Sequence, residues 1–216
     1  MFKETFITVA LVLTTLFFIT VSWAEELLPL KLPTPNLNSG KSLMQSLQLR
    51  KSSRDFSTKK LPMEVLSNML WAANGINRKE SGKRTAPSAV NWQEIDIYVA
   101  MTDGLYLYSA KEHLLKQVIK KDIRELTGKQ AFVKEAPLNL IYVADYSRMG
   151  KANAEEKNFY SAADTGFIAQ NVYLYCASEG LVTVIRGSID KDVLAKAMRL
   201  GNNQKIIMSQ TVGYPE

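Results

Sequence analysis

An α+β fold, with a mixed sheet flanked by helices, is predicted for this chain of 216 residues. Three observations carry the expectation. Apolar residues recur at helical spacing in two segments, one after Pro62 and one from Phe159 to Ser178. Alternating apolar residues on either side of Asp103-Gly104 read as an antiparallel hairpin. Helices and strands do not alternate as a clean βαβ repeat, and the G-x-G-x-x-G and Walker A phosphate loops are both absent.

The chain opens with Lys3 ahead of an apolar run from Phe6 to Val21, closed by Ser22-Trp23-Ala24 and then acidic, polar chain from Glu25. That is the layout of a cleaved secretory signal peptide over residues 1–24. The run of about 16 residues is short of the roughly 20 needed to span a bilayer, so no stable membrane span is expected after cleavage; an uncleaved N-terminal anchor is the other reading. No Cys lies near Ala24, which argues against a lipid-anchored form. Residues 25–48 read as a linker, because Pro29, Pro33, Pro35, Asn36, Asn38, Ser39 and Gly40 break any period. One domain is expected over 49–216.

Within it, Pro62 opens a helix, where its missing N–H costs nothing, and Val65, Leu66, Met69, Leu70 and Ala73 follow at helical spacing. Asn74-Gly75 is expected to stop it with a left-handed cap. A Gly/Ser/Arg loop leads to Ala86-Pro87-Ser88-Ala89. Ile95 to Met101 and Leu105 to Tyr108 are expected strands, and Glu112 to Leu126 a polar helix carrying a solvent-facing His113. The continuous apolar run Leu138 to Ala144 reads as a central strand. The long helix from Phe159 to Ser178 ends at Gly180. Leu181 to Ile185 is a buried strand, Asp190 to Leu200 a short helix closed by Gly201, and Lys205 to Val212 the last strand.

Composition excludes several chemistries. Cys176 is the only cysteine, so no intramolecular disulfide forms, and it sits in an apolar helical pattern as a small core residue. One His and one Cys do not make the usual zinc site, and no motif argues for His113 as the base of a nucleophilic triad. The net charge of +6 is unchanged by loss of residues 1–24, which removes Lys3 and Glu4 together. The basic residues are spread along the chain without a nucleic-acid motif, so the charge is best read as favouring bound phosphate.

The informative stretch is Arg50-Lys51-Ser52-Ser53-Arg54-Asp55-Phe56, with three cations and two hydroxyls within five residues. Arginine presents a rigid fork of donors suited to phosphate oxygens, and hydroxyls and backbone N–H groups complete such a shell. In extended chain Arg50, Ser52 and Arg54 point to one side. The same composition also describes an ordinary solvated basic loop.

This stretch resembles the opening R-[RK]-S-x-[RK]-x-[FY] motif of the FMN-dependent nitroreductase family. Other segments resemble that family in the same order: Leu70-Trp71-Ala72-Ala73-Asn74-Gly75, Thr85 to Gln93 with its P-S-x-x-N pattern, Asp164 to Asn171, Ile185-Arg186-Gly187, and the closing Val212-Gly213-Tyr214-Pro215. The resemblance implies a homodimer with FMN at the subunit interface. Arg50 and Ser52, with Lys51 beside them, would hold the phosphate, and Arg54 would lie near the N1/O2 edge of the ring. Pro87 and Ser88 would contact the cofactor across the interface, and Asn91 would hydrogen-bond the ring. The backbones of Arg186 and Gly187 would approach N5. Arg186 departs from the family, which often carries a Glu there, and Glu216 directly after the closing motif resembles the shorter branch, which includes azoline-oxidising dehydrogenases. From periodicity alone, Phe167 to Ala177 serves equally as an interface helix or as core.

The function implied is transfer of hydride or electrons between a donor and a small organic substrate outside the cytoplasm, with the flavin doing the chemistry. The alternative is an exported protein that holds flavin or another ligand without turnover.

Overall fold

The structure of the chain, a computed structural model, describes residues 27–216. The expected signal segment, residues 1–24, lies outside the described residues. Among the described residues, no helix is long and apolar enough to cross a membrane.

The fold is α+β, built on a seven-stranded sheet. Its strands are β1 (Leu30–Lys31), β4 (Ile95–Met101), β5 (Gly104–Ser109), β6 (Leu114–Ile119), β7 (Leu138–Asp145), β8 (Val182–Arg186) and β9 (Gln204–Gly213), in the order β1-β6-β5-β4-β7-β9-β8. Every described pairing in it is antiparallel. A separate small hairpin joins β2 (Ile76–Arg78) to β3 (Lys83–Arg84). The helices are α1 (Leu43–Leu49), α2 (Met63–Asn74), α3 (Phe132–Glu135), α4 (Ala154–Glu179) and α5 (Lys191–Ala197).

The continuous apolar run of β7 has a plain cause: both of its faces are covered. Leu138, Leu140, Tyr142 and Ala144 pack with Leu66, Met69 and Leu70 of α2 and with Ile168, Val172 and Cys176 of α4. Ile141 and Val143 pack on the other side with Leu194 and Met198. Burial pushes the Cys176 thiol far up, as befits a core residue. Helix α4 starts at a capping box between Asn153 and Glu156 and stops at Gly180, which takes the left-handed conformation at φ 72°.

Four expectations need correction. The segment 25–48 is not a bare linker where it is described: it carries β1, paired to β6, and α1, started by a Ser42–Gln45 capping box and packed on α4. No helix covers Glu112 to Leu126. Residues 114–119 instead form β6, which pairs with β5 on one edge and β1 on the other, and only Arg124–Thr127 makes a 3-10 turn. The helix-forming Glu, Lys and Gln there are overridden by Leu115, fully buried against the sheet. His113 is not solvent-facing. It sits in the β5–β6 turn at φ 49°, with Nε2 2.7 Å from Ser67 Oγ and 3.1 Å from the Pro33 carbonyl, and Nδ1 3.1 Å from the Tyr108 hydroxyl. Gly75 is extended, at φ −72° and ψ 163°, and not left-handed. Its place is set by close approach, since a Cβ there would lie 2.5 Å from Trp71 Cδ1.

Candidate functional site

Arg50 closes α1 and starts an extended segment that runs along the sheet's β8 edge. Ser53 N–H donates to the Thr183 carbonyl at 3.1 Å, and Ser57 N–H to the Tyr214 carbonyl at 3.0 Å. Phe56 anchors the segment, buried against Val184, Ala136 and the Phe132 ring, whose centroid lies 5.4 Å from its own. The alternation expected of extended chain puts Arg50 and Ser52 on one aromatic ring. Arg50 Cζ lies 5.4 Å from the Tyr173 ring centroid, and Ser52 Oγ lies 2.8 Å from the Tyr173 hydroxyl. That hydroxyl also accepts the Ile185 N–H at 3.1 Å. Tyr173 therefore ties the basic segment to the strand end that leads into Arg186-Gly187.

Lys51 lines a neighbouring cleft of about 280 Å³ with Val182, Thr183 and Pro215, while Arg54 is exposed. Among the described residues, none of Arg50, Lys51 and Arg54 is in an ion pair. Three cations and a hydroxyl without a carboxylate partner suit an anionic group such as a phosphate.

The Arg186 side chain plays a different part. It is 6% exposed and runs into the interior. Its Nη1 donates to the Thr127 carbonyl at 2.8 Å, and its Nη2 reaches Asn139 Oδ1, Ser209 Oγ and Thr211 Oγ1 at 3.0, 3.0 and 2.9 Å. A Cβ at Gly128 would collide with Nη1, so glycine there makes the room. Burial pulls the guanidinium down to about 10, still charged at neutral pH. Through Nη1 and Nη2 the guanidinium joins β7, β8, β9 and the 124–127 turn, and its Nε is buried without a partner, so at the surface Arg186 presents its backbone. A Cβ at the exposed Gly187 would meet nothing within 4 Å, so that backbone faces open space.

The second cluster lies elsewhere on the molecule. Pro87, Ser88 and Asn91 line a cleft of about 220 Å³ with Asn74, Arg84, Glu94 and Asp164. Ser88 Oγ donates to Glu94 Oε2 at 3.2 Å and accepts the Gln93 N–H at 2.8 Å. Ala89 N–H donates to Asp164 Oδ2 at 2.9 Å, and Asn91 Oδ1 accepts from Gln93 Nε2 at 3.1 Å. Burial, with the Asp164 charge adding to it, pushes the Glu94 carboxyl above the ordinary carboxylate range. The two clusters do not share a cleft in one chain. Asp164 and Tyr173, which anchor them, are nine residues apart on α4, or about 13 Å along its axis.

Sequence reasoning missed Tyr173, Glu94 and Asp164 as site residues. Tyr173 reads as one more apolar helix position, although its hydroxyl carries the contact. The signal for Glu94 is a carboxylate immediately before an apolar strand, a place where burial follows from its neighbours. Of the 167–177 helix stretch, Ile168, Ala169, Val172, Tyr173 and Cys176 are buried within the chain, whereas Phe167 and, two turns earlier, Phe159 are 48% and 66% exposed. Leu43, Met44 and Leu47 of α1 are exposed as well.

Comparison with known proteins places the chain in a family. The profile of the nitroreductase family matches residues 47–214. A protein assigned as a nitroreductase in Methanocaldococcus jannaschii is 30% identical over 169 residues, covering 74% of this chain and 85% of the relative. A crystal structure assigned as a nitroreductase from Ralstonia eutropha superposes with a TM-score of 0.82 at 42% identity, covering 89% of this chain and 96% of that one. The NADPH:FMN oxidoreductase of Vibrio harveyi, solved with NAD+, shares the fold at a TM-score of 0.60 and 20% identity, over 81% of this chain and 69% of that one. This chain belongs to the nitroreductase family.

Proposed function

We propose that the chain is an FMN-dependent oxidoreductase that passes hydride or electrons between a donor and a small organic substrate, as a homodimer outside the cytoplasm. The observation that carries the reading is that Arg50 and Ser52 sit together on Tyr173, with the Lys51 charge beside them and no carboxylate partner, and that the Tyr173 hydroxyl leads directly to the strand before Gly187. Arg50 and Ser52 hold the phosphate, with Lys51 adding charge beside them. Arg54 lies by the N1/O2 edge, where a cation stabilises the negative charge that grows on reduction. The backbones of Arg186 and Gly187 face the ring near N5. When bound, the flavin supplies the hydride chemistry. The chain's own part is to bind, orient and exclude water, which fits the lack of a catalytic dyad at the basic segment.

The separation of the two clusters along α4 supports a dimer: Pro87, Ser88 and Asn91 serve the cofactor held by the other copy. The exposed Phe159 and Phe167 on α4, with Leu43, Met44 and Leu47 on α1, offer the apolar surface such a contact buries. The Lys3-to-Ala24 segment supports export. Purified full-length protein tests the reading. The expected result is a yellow protein with FMN that bleaches with a reductant and recovers with an electron acceptor. Protein that binds FMN but never cycles favours the ligand-holding alternative, and colourless protein indifferent to added FMN refutes both.

A further inference from the structure

The cleft beside residues 87–91 contains two buried carboxyl groups, Glu94 and Asp164. Glu94 is 0% exposed and Asp164 2%, and among the described residues neither is in an ion pair. Both grip the same turn, Glu94 through Ser88 Oγ and Asp164 through the Ala89 N–H. The Asp164 charge acts on Glu94, and Glu94 Oε1 is buried without a hydrogen-bond partner. Two buried carboxylates holding the same turn repel, and an orphaned carboxylate oxygen is costly. One proton between them removes both penalties at once.

The turn they grip is itself strained. Val90, Asn91 and Gln93 all take left-handed backbone, at φ 50°, 57° and 49°, and Val90 is β-branched. Backbone of this kind persists only where its surroundings hold it. Val90 is 82% exposed, so its own side chain does not hold it.

We propose that Glu94 and Asp164 share one proton, and that this acid pair is the positioning device that holds the strained 88–91 turn in place to meet the cofactor carried by a second copy of the chain. The proposal rests on the FMN-at-interface reading. The groups facing the pair are consistent with it. Asp164 comes from α4, and Tyr146, from the turn after β7, is raised by burial and then by the Glu94 charge. Across the cleft stand Arg78, Lys83 and Arg84 of the small hairpin, but Arg84 spends its Nε and Nη1 on Gln93 and the Asn74 carbonyl. Burial raises Glu94 above its unfolded value, so the held turn is favoured at low pH and lost as pH climbs through the raised value.

The test uses full-length protein, wild type and Glu94→Gln. Infrared spectra across a pH titration are expected to show a protonated carboxyl band that persists above the ordinary carboxylate range and that Glu94→Gln removes. FMN affinity of the wild type is expected to fall by up to about tenfold per pH unit above the titration of the pair. Glu94→Gln, whose amide donates to Asp164 at every pH, is expected to flatten that profile. Trp92 follows the turn and packs edge-on against Tyr160 at 5.6 Å. Its fluorine resonance, in cofactor-free protein labelled with fluorotryptophan, is expected to shift with pH in the wild type and not in Glu94→Gln. This last readout stands apart from FMN binding: a protein that ignores FMN but shows the shift loses the cofactor reading and keeps the acid pair. Absence of the protonated carboxyl, or a Trp92 pH response that survives Glu94→Gln, overturns the proposal.

Discussion

Ser52 and Tyr173 meet through their hydroxyls at 2.8 Å across 121 residues of sequence, and the Tyr173 hydroxyl takes the Ile185 N–H at 3.1 Å as well. One oxygen thus sets the distance between the basic segment and the end of β8. Tyr173→Phe keeps the ring under Arg50 but leaves Ile185 N–H without its acceptor. A part-buried donor orphaned in this way costs about 1–3 kcal/mol. A lower urea midpoint at constant slope, whose product with the slope matches that loss, is expected, with FMN held more weakly; an unchanged midpoint would mean that the hydroxyl does not carry the junction.

His113 gives the fold a pH dependence of definite sign. Burial lowers its pKa, opposed by the bond to the Pro33 carbonyl. A histidine lowered in the folded state is favoured neutral there, so its contribution is present above the unfolded value and lost as pH falls through the lowered one. Stability is therefore expected to decline on acidification below the ordinary histidine range, and His113→Gln to remove that part of the slope. Denaturant midpoints across pH for both proteins decide it, and an unchanged slope in the variant contradicts the assignment.

The proposed dimer contact rests on the exposed aromatics of α4. Phe167→Asp places a charge on the surface expected to face the second copy, where burial of an unpaired carboxylate is strongly unfavourable. Sedimentation is expected to show the wild type as a dimer and Phe167→Asp shifted toward monomer, with FMN lost in parallel. A flavin-loaded wild-type monomer would refute the shared site.

The proposed export makes a separate prediction. Mass spectrometry of the native protein is expected to find a mature chain beginning near Glu25, recovered outside the cytoplasm. Retention of residues 1–24 would count against cleavage, and cytoplasmic fractionation against export.

Legibility in the sequence followed the range of the forces involved. The run Leu138–Ala144 and the helix around Val172 and Cys176 were readable because periodicity and burial are local properties. Residues 114–119 were misread because their helix-forming side chains say nothing of the two strands that flank them. His113 was misread for the same reason, since its partners Ser67 and Pro33 lie 46 and 80 residues away. The site divides in the same way. Arg50 and Ser52 stand close together in a short motif and were legible, whereas Asp164 reaches Ala89 across 75 residues and left no local trace. Arg186 was visible as a departure from the family, but its role emerges only where Asn139, Ser209 and Thr211 converge on it.

The most direct measurement of the central claim is a paired titration of FMN and riboflavin against wild type, Arg50→Ala and Arg54→Ala. A charge-assisted bond to phosphate contributes about 1.5–3 kcal/mol, so Arg50→Ala is expected to weaken FMN by roughly 10- to 150-fold. Riboflavin, which has no phosphate, is expected to respond little to that change. Arg54→Ala, acting at the ring, is expected to weaken both ligands alike and to lower the bound flavin's reduction potential. Equal weakening of FMN and riboflavin by Arg50→Ala would contradict the phosphate assignment and, with it, the account of how this chain holds its cofactor.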